Sequence, residues 1–139
     1  MPALERIHGW RVVAAGDALD SAAWLGDDVV VLRFAPDEAF GLGAGGVEID
    51  DPDAIQEVEH GFVGVWLTSR ELHGAVAHLE WALPTERPAL AQGAIAGIPA
   101  KLWLPAADPG IVQLDGIEAL LLTHAAYADD LAERLGWRS

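Results

Sequence analysis

Residues 62–84 carry the pattern that most restricts how this chain can fold. Phe62-Val63-Gly64-Val65-Trp66-Leu67 is an apolar run of strand length. Directly after it, Thr68-Ser69-Arg70-Glu71 has the spacing of a capping box. In that motif the threonine hydroxyl accepts from the glutamate N–H and the glutamate carboxylate reaches back to the threonine N–H. Leu72, Ala75, Val76, Leu79 and Leu83 then fall in one stripe at helical spacing, and Pro84 predicts the end of the helix. A strand that feeds a capped, one-sided helix needs a sheet face to receive the apolar stripe, which predicts a mixed α and β architecture.

The residues downstream extend that pattern. Ala94–Leu104 predicts a long apolar strand, with Gly97 and Pro99 marking a bend or an edge position. Ile111–Leu114 and Ile117–Leu122 predict further strand, parted by the tight-turn pair Asp115-Gly116. Thr123 is placed to cap a last helix that buries Tyr127, Ala128, Leu131 and Leu135, and Gly136-Trp137 suits a Schellman ending. Residues 61–139 therefore predict a βαββα order with a possible extra hairpin arm. That is half of a ferredoxin-like arrangement, an α+β fold with two helices on one face of an antiparallel sheet.

Residues 1–60 predict an acidic, β-rich extension of the same single domain, 1–139. The elements expected there are a strand over His8–Ala15 and a brief helix from Asp17 to Trp24, stopped at Gly26. A strand over Val29–Phe34, buried on both faces, follows, and after a bend at Pro36-Asp37 a hairpin arm returns over Ala39–Leu42. Gly43–Gly46 and Asp51-Pro52-Asp53 predict loops. A chain of 139 residues is the size of one domain, and no stretch is long enough to act as a linker.

Charge and composition remove whole classes of function. The formal net charge is −14, from 22 acids against 8 bases. Residues 34–69 contain no Lys or Arg and hold Asp37, Glu38, Glu48, Asp50, Asp51, Asp53, Glu57 and Glu59. Such a field repels phosphate backbones and anionic headgroups, so neither nucleic acid nor a membrane is an expected partner. The absence of cysteine excludes disulfides, thiolate nucleophiles, zinc–thiolate sites and iron–sulfur clusters. Met1–Gly9 has no apolar core of a signal peptide, and the longest apolar runs fall far short of the ~20 residues that span a bilayer. The expected location is the cytoplasm.

No grouping of side chains has the spacing of a catalytic, cofactor or metal site. His73 and His78, five apart on the predicted helix, project about 140° from one another and cannot share one ion. His60 follows Glu57 and Glu59 without a ligand spacing, and His124 falls on the apolar side of the last helix. The acidic stretch 48–59 lacks the calcium-loop pattern and reads as a solvated loop. Gly41-x-Gly43-x-Gly45-Gly46 has no following helix signal and no lysine, so it predicts a turn and not a phosphate cradle. Ser69 is accounted for by helix capping, and no serine sits in a nucleophile elbow.

Tryptophan is the one excess, at six residues. Trp24, Trp66 and Trp103 lie in or beside apolar runs and are expected in the core. Trp81 is different, because on the predicted helix it shares a back face with Arg70, Gly74 and Ala77, opposite the leucine stripe. A large aromatic above small residues is a shape suited to a protein partner. The alternative is that the N-terminal half covers this face within the chain.

The segment from Gly61 to Gly136 resembles the γ subunit of heterotetrameric sarcosine oxidase, itself similar to folate-binding domains of the aminomethyltransferase type. The residues that carry the resemblance are Gly64-Val65-Trp66-Leu67 leading into a helix, Gln92-Gly93-Ala94-Ile95-Ala96-Gly97-Ile98-Pro99, Lys101-Leu102-Trp103-Leu104, Glu118-Ala119-Leu120-Leu121-Leu122 and Ala126-Tyr127-Ala128-Asp129-Asp130-Leu131. It covers somewhat over half of the chain and leaves residues 1–60 outside. It implies a non-catalytic subunit, without a cofactor of its own, packed against a larger flavin-dependent amine oxidase chain. Two alternatives stand beside it: a small-molecule, folate-like binding module, and an acidic mimic of nucleic acid that inhibits a DNA-binding protein. A second copy of the chain is the other expected kind of partner.

Overall fold

The computed structural model describes residues 2–79, 81–106 and 117–137. In chain order its elements are β1 (Glu5–Arg6), β2 (Gly9–Val13), α1 (Gly16–Asp20), β3 (Ala23–Leu25), β4 (Val30–Ala35) and β5 (Glu38–Leu42). They continue with β6 (Gly46–Glu48), β7 (Ile55–Glu59), β8 (Phe62–Thr68), α2 (Ser69–Val76), β9 (Ala89–Ile95), β10 (Ile98–Leu104) and β11 (Ile117–His124). A 3₁₀ turn at Ala125–Tyr127 leads into α3 (Ala128–Arg134). The fold is mixed α+β and mostly antiparallel. The chain divides into two compact units, one of residues 1–6 with 63–139 and the other of residues 7–62.

In the first unit the sheet order is β1-β8-β11-β10-β9. α2 begins where the sequence requires: the Glu71 N–H donates to Thr68 Oγ1 at 3.3 Å and the Thr68 N–H donates to Glu71 Oε1 at 2.9 Å. Its end differs from the expectation, because the helix stops at Val76 and not at Pro84. Leu79 instead forms an antiparallel bridge with Ile95, and the His78 carbonyl accepts the Ala96 N–H at 3.0 Å. The expected strand 94–104 is the tip and second arm of a hairpin. β9 and β10 pair from Ile98↔Ile95 to Leu104↔Ala89, and Ala96 and Gly97 turn the chain with φ of 53° and 81°. Positive φ at both turn residues gives the twist that two-residue hairpins need. Pro99 lies beyond the last β10–β11 pair, Lys101↔Leu122, and its carbonyl accepts the Thr123 hydroxyl at 2.7 Å. Thr123 is thus a buried strand residue and not the cap of the last helix. The expected Ile111–Leu114 strand and Asp115-Gly116 turn lie outside the described residues.

One apolar cluster unites this unit. Leu72 and Ala75 of α2 and Leu131 of α3 pack with Leu67, Ala91, Ile95, Ala100, Leu102, Leu104 and Leu121. Burial alternates along β10, with Ile98, Ala100, Leu102 and Leu104 buried and Pro99, Lys101 and Trp103 less so, the two-residue period of a strand that faces a core. α3 ends as expected: the Gly136 N–H donates to the Glu133 carbonyl and the Trp137 N–H to that of Ala132, with Gly136 at φ 76°. Those two bonds define the Schellman motif. Tyr127 and His124, expected on the buried side of this helix, are exposed and contact each other edge to face.

In the second unit the four-stranded order is β4-β5-β2-β7, beside the two-stranded pair β3-β6. The predicted hairpin is present, with Ala35 paired to Glu38 across Pro36-Asp37. The helix expected through Trp24 ends at Asp20, and Trp24 belongs to a strand paired with Val47. The strand is favoured because it lays the indole over Gly41, where a Cβ would come within 2.3 Å of Trp24 Cε3. Gly41 is therefore a packing residue of β5 and not part of a flexible loop. β4 is an edge strand whose Val31 is exposed, so it is not buried on both faces. The acidic stretch 48–59, expected as loop, contains the end of β6 and all of β7. Val12, Ala14, Leu19, Ala39 and Val47 form the core here, and Phe34, Phe40 and Phe62 meet with ring centroids 5.5 to 5.9 Å apart.

Candidate functional site

The expected contact face of Arg70, Gly74, Ala77 and Trp81 does not exist as one helix face. Arg70 and Gly74 are exposed on α2, Ala77 is its C-terminal cap, and Trp81 lies beyond the helix. The Trp81 indole Nε1–H donates to the Ala94 carbonyl at 3.0 Å, and the ring lies over Gly93, where a Cβ would meet Nε1 at 2.8 Å. Trp81 is half-buried against the core of its own unit. Together with the Leu79–Ile95 bridge, it covers the Gly93–Ile95 end of β9. Trp66, expected in the core, is 39% exposed and meets Trp103 edge to face.

The described histidines do not converge on an ion. His73 lies on α2 and His78 beyond its end, and His8 and His60 meet edge to face at 6.3 Å. Among the described residues no three His, Asp or Glu side chains are grouped to hold a metal. Thr123 is the one buried polar residue described, and its hydroxyl is engaged. No described helix is long and apolar enough to cross a membrane. Pro2, Leu4, Ala128, Asp129, Ala132 and Trp137 line a cavity of about 250 Å³ beside α3.

The second unit holds the surface that the residues alone did not reveal. β7 pairs with β2 from Gly9↔Glu59 to Val13↔Ile55 and ends the sheet. The backbone alternation on β2 can be assigned, because the His8 carbonyl accepts from Gly43 and the Ala14 N–H donates to Asp37, both on the β5 side. Even-numbered residues of β2 therefore bond toward β5, and Gly9, Arg11 and Val13 bond toward β7. Their partners Glu59, Glu57 and Ile55 point inward, which leaves the N–H and C=O groups of Gln56 and Val58 directed outward at the sheet edge. The side chains of this strand are also open to water, with Ile55 57% and Val58 56% exposed.

Arg11, Val13, Ile55 and Glu57 line a dent of about 210 Å³ on one face of this edge. Arg11 Nε donates to Glu38 Oε2 at 2.7 Å. That hydrogen bond raises the Arg11 pKa above its usual value; partial burial opposes the rise, and the charges of Glu38, Glu59 and Glu57 add to it. One guanidinium thus faces three carboxylates, and the edge stays acidic. Asp51, at the turn before β7, accepts from the N–H groups of Ala15 and Asp53, both at 2.9 Å, and its carboxyl is held below the usual range by those bonds in that order. These contacts fix where β7 begins. A β-branched or apolar residue at 55 and 58 beside acids at 57 and 59 is the signal that composition alone disguised as a solvated loop.

No protein-family model, characterised protein or solved structure matches this chain.

Proposed function

We propose that this protein is a non-catalytic accessory subunit that works by packing against a larger protein chain, in the manner of the γ subunit of sarcosine oxidase. One observation supports this most directly. The polar side chains of the described interior serve the fold, while large apolar side chains stand in water: Leu25, Val31, Ile55 and Val58 are each more than 40% exposed. All four stand on edge strands, β3, β4 and β7, and apolar side chains at open sheet edges are suited to association. Thr68, Glu71, Thr123 and the Trp81 indole are consumed in capping and in bonds to backbone. On this reading the C-terminal unit corresponds to the family's βαββα part, with β9 as an additional hairpin arm.

The test is native isolation of the full-length chain, carrying a small terminal tag and expressed at its normal level. The expected result is co-elution at fixed stoichiometry with a larger chain that shows flavin absorbance. Elution as an unpartnered monomer, or turnover of a small amine or a folate by the chain alone, overturns the proposal.

A further inference from the structure

Sheet edges invite added strands, and folded proteins blunt them. In the two larger sheets, β1 is two residues long, β9 is covered at its Gly93–Ile95 end by Leu79 and Trp81, and β4 is irregular between Arg33 and Ala35. β7 has none of these protections: it is five residues long, in unbroken register, with two outward-facing backbone positions and its apolar side chains exposed. Charge is the one device it carries, in Glu57 and Glu59.

We propose that the outer edge of β7 receives an extended, basic segment of a partner protein as a fifth, antiparallel strand of the sheet. This rests on the accessory-subunit reading and names the surface and the partner's chemistry. The added strand bonds through its backbone to Gln56 and Val58. Its residues opposite Glu59 and Glu57 are Lys or Arg, and the residue opposite Val58 is apolar. Charge complementarity selects this occupant. Residues 34–69 contain eight acids and no Lys or Arg, so a basic segment is drawn in and an acidic one is refused. A second copy is disfavoured by the same acids. Pairing Gln56 of one edge with Val58 of another sets Glu57 directly opposite its own counterpart, between two chains of charge −14.

The probe is a blocked, fluorescently labelled peptide of alternating lysine and valine, measured by anisotropy against the full-length chain at low ionic strength. Its controls are the same composition with the lysines contiguous, and the alternating peptide N-methylated either at its valines or at its lysines. Strand addition makes the alternating peptide bind at least about tenfold more tightly than the contiguous one. Valine N-methylation abolishes binding, because those N–H groups face β7, and lysine N-methylation is tolerated. Glu57→Gln with Glu59→Gln weakens binding. Val58→Pro abolishes it without removing a bond to β2, and the amide resonances of Gln56 and Val58 shift on titration of the unaltered chain.

Equal affinity for the alternating and contiguous peptides, or equal effects of the two N-methylations, overturns the proposal in favour of diffuse charge attraction. Self-association that Val58→Pro disrupts overturns it in favour of a second copy. A native complex recovered undiminished with Val58→Pro sinks the β7 edge and leaves the accessory role standing. No native complex with either chain removes the role itself.

Discussion

Gly41 and Trp24 show how a single hydrogen atom decides local packing. A methyl group at position 41 would lie 2.3 Å from Trp24 Cε3 and 2.6 Å from Cζ3, inside any permitted contact, so the indole must leave its place. Gly41→Ala is expected to destabilise the chain by about 1–3 kcal/mol, the usual cost of overpacking. Trp24→Ala in the same chain should recover part of that loss, and urea denaturation of the single and double variants measures the coupling. Two independent losses that simply add would contradict the contact. Asp51 offers a second residue-level test, through pH. Two backbone N–H bonds favour its charged form and depress its folded pKa below the unfolded value near 4. The contribution is therefore present above about pH 4 and is lost as pH falls through the folded value. Asp51→Asn should flatten the acid limb of the stability curve, read from thermal melts between about pH 6 and pH 3. An unchanged limb would mean that the bonds to Ala15 and Asp53 do not depend on the charge.

At the scale of elements, boundaries set by local chemistry are legible and boundaries set from elsewhere in the chain are not. Thr68 and Glu71 marked the start of α2 because capping is local chemistry, satisfied within four residues. Thr68→Ala should cost about 1 kcal/mol and speed amide exchange in the first turn, residues 69–72. The end of α2 was hidden because it is set from elsewhere. The leucine stripe continues to Leu83, yet Leu79 and His78 make sheet contacts with Ile95 and Ala96, and these outweigh helical propensity. That displacement also dissolves the imagined face of Arg70, Gly74, Ala77 and Trp81. Trp81→Phe keeps most of the ring but removes the bond to the Ala94 carbonyl, for an expected loss of about 1 kcal/mol by chemical denaturation. The Ala35–Glu38 hairpin and the Gly136 helix ending were readable from turn residues alone. β7 was not, because its acids resemble those of a solvated loop, and only pairing with β2 shows that Ile55 and Val58 belong to a strand.

The whole molecule is governed by its charge of −14, and the fold gathers part of that charge instead of dispersing it. Glu57 and Glu59 stand two apart on β7, Glu38 comes to Arg11 from β5, and Asp50, Asp51 and Asp53 precede β7. Arg11 pairs with Glu38 and Arg33 with Asp20, but the chain holds 22 acids against 8 Lys and Arg. Screening weakens both those attractions and the many repulsions, and with so unequal a ratio the repulsions dominate. An expanded chain spreads like charges apart, so their repulsion falls mainly on the folded state. Raising salt from about 10 mM to about 150 mM shortens the screening length from about 30 Å to about 8 Å. The expected outcome is a higher Tm, by roughly 4 °C if screening recovers about 1 kcal/mol. Sodium and choline chloride should act alike, since the effect is one of ionic strength and not of a bound cation. Glu57→Gln with Glu59→Gln should raise Tm at low salt and reduce its salt dependence, because the clustered edge supplies part of the repulsion. A Tm that falls with salt in both chains would show that attraction, not repulsion, dominates the folded state, and that the acids of β7 are held by favourable partners and are not waiting for a basic strand.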